Sequence, residues 1–448
     1  MDRLHRKYDW RVPRYTSYPT APHFSADVDA DTYAGWLSSL PAETPLSLYF
    51  HVPYCDTLCW FCGCHTKIVN RYQPVANYVD VLVREVDLIG DLLGPDRTAV
   101  HLHFGGGSPT ILKPQDLQRL GVALHAHFRF APGAEVAVEI DPRGLGDAVI
   151  AAMAAIGVNR VSIGVQDVNP IVQRAINRVQ TKEETSLAVE RLRAAGVPGL
   201  NVDLMYGLPH QSLDDMLRTV DAVLDLEPDR IALFGYAHVP FMKTHQRLIP
   251  EEALPDAELR LAQAEAAAAR LVEAGYRRIG LDHFARADDG LMEALKEGEL
   301  RRNFQGYTDD GGGALIGFGA SAIGTLPQGY VQNAVPIHAY RRAIESGRPA
   351  TARGIALAAD DRLRARIIES LMCDLAVDLE DIAKTEPEAK TNFGDELCRL
   401  AEMETDGLVS LTGSRLEVSE TGRPFVRCVA SVFDRYLASG AGRHAQAV

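Results

Sequence analysis

The chain has 448 residues, 46% of them hydrophobic and 24% charged. That balance excludes a disordered or fibrous protein and allows roughly two to four domains. Lys and Arg total 46 against 60 Asp and Glu, a formal net charge of −14, which argues against nucleic-acid or anionic-membrane binding.

In chain order, the start Met1–Trp10 is charged and has no signal-peptide core. The longest apolar run, Ala148–Val158, is far shorter than the roughly 18 residues of a membrane span. A cytoplasmic, monomeric protein is therefore expected. β-Branched and aromatic stretches predict strands at Leu46–Val52, Ala99–Phe104, Glu135–Ile140, Arg160–Val165, Gly199–Met205 and Arg230–Tyr236. Helical periodicity falls between them, near 75–93, 114–128, 146–156, 181–195 and 212–226, with another helix near 255–274. Alternating strands and helices make an α/β chain with a parallel sheet, and six units suit an open, partial (β/α)6 TIM-like barrel. Polar or glycine residues cluster at the strand ends: Gly105–Gly107, Glu139, Asp141, Gln166, Asp203, Ala237 and His238. In βα barrels that end carries the chemistry.

The stretch Leu315–Gly324 superficially fits G-x-G-x-x-A. Gly324 and Pro327 oppose the helix that a dinucleotide site requires next. Near residue 350 the pattern changes. Ala359–Asp374 reads as a helix, followed by acidic helical segments and a strand-like stretch, Leu408–Val418. Three parts are expected: an N-terminal segment (1–45), a barrel with a C-terminal extension (46–350) and a mainly helical domain (355–448).

Seven cysteines are present, and Cys55, Cys59, Cys62 and Cys64 lie within ten positions. An odd count with no secretory signal argues against a disulfide framework. Three thiolates at spacings of four and three could wrap one corner of a [4Fe–4S] cubane and leave an iron open to a small molecule. A structural zinc held by all four cysteines is the alternative, although zinc sites usually draw paired ligands from separated segments.

The pattern C-x₃-C-x-Phe61-C resembles the signature of the radical S-adenosylmethionine (SAM) enzymes. Further segments resemble, more narrowly, the oxygen-independent coproporphyrinogen III oxidases of heme synthesis: Pro13–Ala21 (PRYTSYPTA), Leu46–Tyr49, Cys62–Cys64, His103–Gly107, Gly164–Asp167, Asp203–Pro209, Tyr236–Pro240, Asp282–Ala285 and Asn303–Tyr307. The helical tail is similar too. The resemblance implies a radical SAM barrel with Cys55, Cys59 and Cys62 on the [4Fe–4S] cluster and Cys64 off it as a packed thiol. It places Tyr49 and Phe61 beside the cluster and SAM, and Gly106, Gly107 and Ser108 along the methionyl end. Ser108 stands where the family usually has Thr. Glu139 would grip the ribose. Gln166, Arg178 and Asp203 would hold SAM, including a second SAM molecule, and Ala237 and Ile323 would meet adenosine. The reaction implied is oxidative decarboxylation of two propionates to vinyls by a 5′-deoxyadenosyl radical derived from SAM, so no protein side chain is expected as the catalytic radical. An external electron donor and a final electron acceptor are implied as well. For a tetra-anionic substrate the candidate partners are Arg14, Arg178, Arg301 and Arg302, with motif position favouring Arg14, in a segment that could close over the substrate, and Arg178. A related heme-binding chaperone remains the second alternative. Those relatives usually carry an aromatic residue in place of Cys64 and lack the Arg14–Tyr18 segment, both of which this chain has.

Overall fold

The computed structural model describes residues 2–8, 10–389 and 392–437, so 438–448 of the expected C-terminal domain lie outside the described residues. The six predicted strands are all present: β1 (Leu46–Val52), β2 (Arg97–Gly106), β3 (Phe128–Ile140), β4 (Arg160–Gln166), β5 (Gly199–Tyr206) and β6 (Arg230–Gly235). They pair in parallel in that order. The helices Gln73–Leu93, Pro114–His127, Asp147–Ala155, Lys182–Ala194, Leu213–Leu224 and Ala257–Glu273 follow them in turn. Local chemistry sets their starts. Thr181 accepts from the Glu184 amide, and Ser212 with Asp215 forms a capping box.

The sheet continues on both sides of this barrel. The short β8 (His283–Ala285) adds antiparallel to β6, and β7 (Arg277–Ile279) adds antiparallel to β8. On the other side β9 (Ala314–Phe318) runs parallel to β1, and β10 (Ile323–Leu326), β11 (Gly329–Asn333) and β12 (Thr351–Ala356) extend it antiparallel. The result is one twelve-stranded sheet, β12-β11-β10-β9-β1-β2-β3-β4-β5-β6-β8-β7. Its order leaves the barrel open. The glycine stretch forms the β9–β10 hairpin, with no helix after it.

Side chains alternate across each strand. Leu46, Leu48, Phe50 and Val52 of β1 are fully buried in the main core, whereas Tyr49 and His51 join the polar groups of the lumen. Charges close the lumen's lower end. Arg160 donates to Glu135 at 2.6 Å, His101 lies 3.2 Å from Glu135, and Arg230 donates to Asp289 and Asp309. Despite burial, His101 and the Arg230 and Arg160 charges hold the Glu135 carboxyl well below its usual range. This floor is paired, so the open chemistry sits above it.

The C-terminal part has its own core, built on the helix Ala359–Asp374 and a three-stranded antiparallel sheet. The stretch expected as one strand is a hairpin, Val409–Thr412 and Arg415–Val418, folded back at Gly413 with φ +63°. Tyr8, Val12, Tyr15 and Tyr18 of the N-terminal segment pack into this core, and the Tyr15 hydroxyl donates to Asp434 at 3.0 Å. Among the described residues no helix is long and apolar enough to cross a membrane.

Candidate functional site

The cysteine loop leaves the C-terminal end of β1 and lies across the barrel rim. Its backbone is held at several points. The Trp60 amide donates to Ile176 O (2.9 Å), Asn177 Nδ2 to Leu58 O (2.8 Å), Gln246 Nε2 to Phe61 O (3.0 Å) and Lys243 Nζ to Cys64 O (2.9 Å). Trp60 and Phe61 pack on the apolar rim formed by Val172, Ile176, Leu208, Tyr236 and Ile249. Sequence reasoning missed Asn177, Lys243 and Gln246. The sequence carries no signal for them; in the structure Asn177 holds φ +53°, a backbone state asparagine tolerates.

All seven cysteines are free thiols. Cys55, Cys59 and Cys62 interact electrostatically across the loop without closing into the ligand set of a single ion. Cys59 is buried and accepts from Arg178 Nη1 at 3.6 Å and Arg143 Nη2 at 3.7 Å. Two guanidiniums thus converge on one sulfur of the loop. Burial pushes the Cys55 thiol up to about 11. The Cys64 thiol and nearby cations draw Cys62 down. Cys64 is exposed as a residue, yet its thiol bonds to Cys62 and feels Cys55 and Glu139.

Polar side chains line the lumen above the paired floor. The Tyr49 hydroxyl lies 3.0 Å from His51 Nδ1. Glu139 accepts from the Gly106 amide at 3.0 Å and sits 3.2 Å from His103 Nε2. Against the burial that raises it, those two partners hold its carboxyl below the ordinary value. Asp203 accepts from Ser162 at 3.4 Å, and burial pushes it up to about 7, helped by the negative Glu139. Arg178 donates to Gly164 O (2.7 Å) and Asp141 (3.3 Å). The acid Asp141 is shared with Arg143, a residue the sequence did not single out. Arg178 Nε and Gln166 Oε1 are buried with no hydrogen-bond partner. Native interiors seldom leave such atoms unpaired, so this wall fits a polar ligand. With free thiols flanked by guanidiniums, the residues present suit a thiolate-held cluster and SAM.

The glycines at the end of β2 have a cause inside the chain. A Cβ at Gly107 would stand 2.5 Å from Tyr54 O, and one at Gly105 would stand 2.7 Å from Glu139 Oε1. They let β2 close onto the cysteine loop and Glu139. Ser108 follows, its amide bonded to Tyr54 O at 2.8 Å. Ile323 opens β10, its carbonyl against Gly317, the residue paired with Tyr49. Ala237 lies just past β6, its carbonyl accepting from Gln246 Nε2 at 3.3 Å.

Ala237 lines a cavity of about 480 Å³ at the same strand ends. The N-terminal segment, β5, β6, β8 and the C-terminal part enclose it. Seven arginines face it, among them Arg14, Arg260, Arg302 and Arg427, against two carboxylates, Asp282 and Glu265. The Arg302 side chain is 5% exposed, lies 3.7 Å from Asp282 and stacks over Tyr307. Its Nε and Nη1 lack hydrogen-bond partners. Burial and the neighbouring Arg14 lower Arg427 to about 10. Of the four arginines proposed for substrate, Arg14 and Arg302 line this cavity, Arg178 belongs to the cysteine site, and Arg301 is exposed outside the lining. Arg301 and Arg302 are adjacent on one strand, so they point to opposite sides.

Residues 49–223 match the Radical SAM superfamily model, and 357–425 match the HemN C-terminal domain. The oxygen-independent coproporphyrinogen III oxidase of Bradyrhizobium diazoefficiens is 53% identical over 98% of this chain and 97% of its own length. The enzyme of that name from Paracoccus denitrificans is 45% identical over 98% and 97%. The solved structure of coproporphyrinogen III oxidase from Escherichia coli, described as a radical SAM enzyme, superposes with a TM-score of 0.89 at 37% identity, covering 95% of this chain and 100% of that one. With its six-stranded open barrel, thiol-bearing loop and polar lumen, the chain belongs to the oxygen-independent coproporphyrinogen III oxidase family of radical SAM oxidoreductases, whose chemistry uses a [4Fe–4S] cluster and SAM.

Proposed function

We propose that the chain oxidatively decarboxylates two propionates of coproporphyrinogen III to vinyl groups, forming protoporphyrinogen IX. The observation that carries this reading is the cavity with seven arginines and two carboxylates beside the cysteine loop, on a protein of net charge −14. A tetra-anion needs such local positive charge to overcome the global field. When bound, the cluster and SAM supply the 5′-deoxyadenosyl radical that takes a hydrogen atom from the propionate β-carbon.

In this reading Cys55, Cys59 and Cys62 hold the cluster, with Tyr49 and Phe61 flanking it. Gly106, Gly107 and Ser108 border the methionyl group, and Glu139 meets the ribose. Ala237 and Ile323 approach adenosine. Gln166, Arg178 and Asp203 provide polar capacity for a second SAM. A sulfonium beside Asp203 would favour its charged form. Residues 1–45 form a cover that carries Arg14 and is anchored in the 355–448 domain, and residues 46–350 form the barrel body. The test is anaerobic reconstitution with iron and sulfide, then assay of coproporphyrinogen III with SAM and a reductant. Stoichiometric heme binding without turnover would favour the chaperone instead.

Two variants probe the assignments. Glu139→Ala removes a carboxylate able to make charge-assisted bonds of roughly 1.5–3 kcal/mol each. SAM affinity, read by equilibrium binding, is expected to fall at least tenfold while iron content stays constant. Unchanged affinity would return Glu139 to a role in fixing His103 and Gly106. Arg302 is desolvated and Arg14 is exposed, so Arg302→Ala is expected to cost more, about 2–5 kcal/mol. The measured KM for coproporphyrinogen III should rise well over tenfold with SAM binding intact. Equal, small effects in both variants would remove the cavity from the substrate path.

A further inference from the structure

Reductive cleavage of SAM consumes one electron, which an external carrier must bring to the cluster. This inference rests on the function proposed above. A groove of about 560 Å³ lies on the outer face of the cysteine loop, away from the arginine cavity. One wall is the short strand that carries the first cysteine: Tyr54–Cys55 pairs in parallel with Lys67–Ile68. Thr66 lines the groove and its hydroxyl donates to Cys55 Sγ at 3.5 Å. One side chain therefore separates the groove from a thiol assigned to the cluster. The other wall is the start of the helix Ile337–Glu345, tied to the loop by His65 Nε2 at 3.2 Å from Val335 O.

The groove's chemistry differs from the rest of the surface. Its buried lining is Pro53, Tyr54, Tyr78 and Val81, and Val335 and Ile337 beside them are half-buried. Lys67, His338 and Arg341 are exposed on its rim, and the lining contains no carboxylate. Lys67 makes no ion pair among the described residues, and Arg341 pairs with Glu345 at 2.7 Å. An apolar centre with a charged rim is the usual anatomy of a protein interface. A basic rim on a chain of net charge −14 selects an acidic partner and keeps its other surfaces away. Redox encounters need only a small contact, below about 1,200 Å².

We propose that this groove docks a small acidic one-electron carrier protein bearing a flavin or an iron–sulfur centre, with electron entry past Thr66 and Cys55. The transfer moves one electron: the reduced carrier is oxidised by one, the enzyme's cluster gains one, and no atom is exchanged.

The test uses the reconstituted holoenzyme and a purified acidic flavodoxin as the carrier. Its Kd is measured by titration from low to physiological salt, and SAM cleavage is driven either by reduced flavodoxin or by dithionite. The wild type is expected to bind flavodoxin with an affinity that weakens as salt rises. Lys67→Glu and Arg341→Glu are each expected to raise the Kd about tenfold at low salt. Lys67→Gln should give a smaller rise. Flavodoxin-driven cleavage should fall in parallel, while dithionite-driven cleavage and iron content match the wild type. Unchanged Kd and flavodoxin-driven rates in the double charge reversal would overturn the proposal. So would failure of the wild type to bind both flavodoxin and an acidic ferredoxin. Loss of the dithionite-driven rate in the variants would likewise count against docking, because the groove would then be supporting the cysteine loop. Absence of dithionite-driven cleavage in the wild type would instead strike the proposed function itself.

Discussion

Cys59→Ala is expected to leave a folded chain that holds almost no iron. Cys59 is the buried thiol, with Arg143 and Arg178 at its sulfur, so its loss removes a ligand and leaves two cations facing an empty corner. Cys55→Ala and Cys62→Ala are expected to behave alike, since a cubane with one open iron has three protein ligands and no spare. Cys64→Ala is expected to retain about four irons per chain, because three thiolates already complete a cubane with one open iron. Iron and sulfide analysis after anaerobic reconstitution, with circular dichroism as the folding control, reads all four. Iron loss in Cys64→Ala as complete as in Cys59→Ala would refute the three-ligand assignment.

The parallel barrel was legible because its strands carry apolar side chains in unbroken or alternating runs, and its helices fill the intervals between them, three of them opened by a capping side chain, Thr181, Ser212 or Asp256. Leu46–Val52 is recovered to the residue. The helix Ala359–Asp374 is as well. The strands β9–β12 were hidden. Gly317, Gly319, Gly324 and Gly329 interrupt the pattern, yet each sits where a Cβ would strike backbone or side chain of a neighbour. Sequence shows glycine as a breaker and cannot show that a carbonyl stands 2.0 Å from the missing Cβ, as Ile355 O does at Gly329. Gly413 is the same lesson in reverse: it divides a stretch that reads as one strand.

The candidate site was legible where a motif is local. Cys55–Cys62, Gly105–Gly107 and Glu139 advertise themselves by spacing or by their place at a strand end. The supports were not, because they come from distant segments and are ordinary residues. Asn177, Lys243 and Gln246 hold a loop far away in sequence, and Arg143 gains meaning only from its distance to Cys59. The N-terminal segment divides its residues in a way that composition cannot reveal. Tyr15 and Tyr18 enter the C-terminal core, while Arg11 and Arg14 face the cavity.

Glu85→Gln is expected to change how stability depends on pH. Glu85 lies inside the helix Gln73–Leu93, is 1% exposed, and has no cationic partner among the described residues. It accepts from the Gly319 amide (2.6 Å), Asn333 Nδ2 (2.7 Å) and the Tyr340 hydroxyl (2.7 Å). It thereby pins the helix after the cysteine loop to the turn after β9, to β11 and to the helix beyond. Burial outweighs these donors and pushes its carboxyl from 4.5 up to about 7. A carboxyl raised on folding keeps its proton in the native state while the unfolded chain releases it. Its contribution is therefore intact below about pH 4.5 and declines as pH rises toward 7, by roughly 3 kcal/mol in all at about 1.4 kcal/mol per pH unit. Glutamine cannot ionise, so the wild-type minus Glu85→Gln difference in unfolding free energy should fall with pH across that window and flatten above it. Other titrating groups cancel in the difference. Glu85→Ala should be less stable than Glu85→Gln at every pH, by about 3 kcal/mol or more, because it strands the Gly319 amide and leaves a void. Denaturant midpoints for the three proteins at the same metal loading, from pH 4.5 to 8, decide the matter. A wild-type minus Glu85→Gln difference that stays flat with pH would mean that Glu85 is ionised in the native protein and that its three donors, not burial, set its charge.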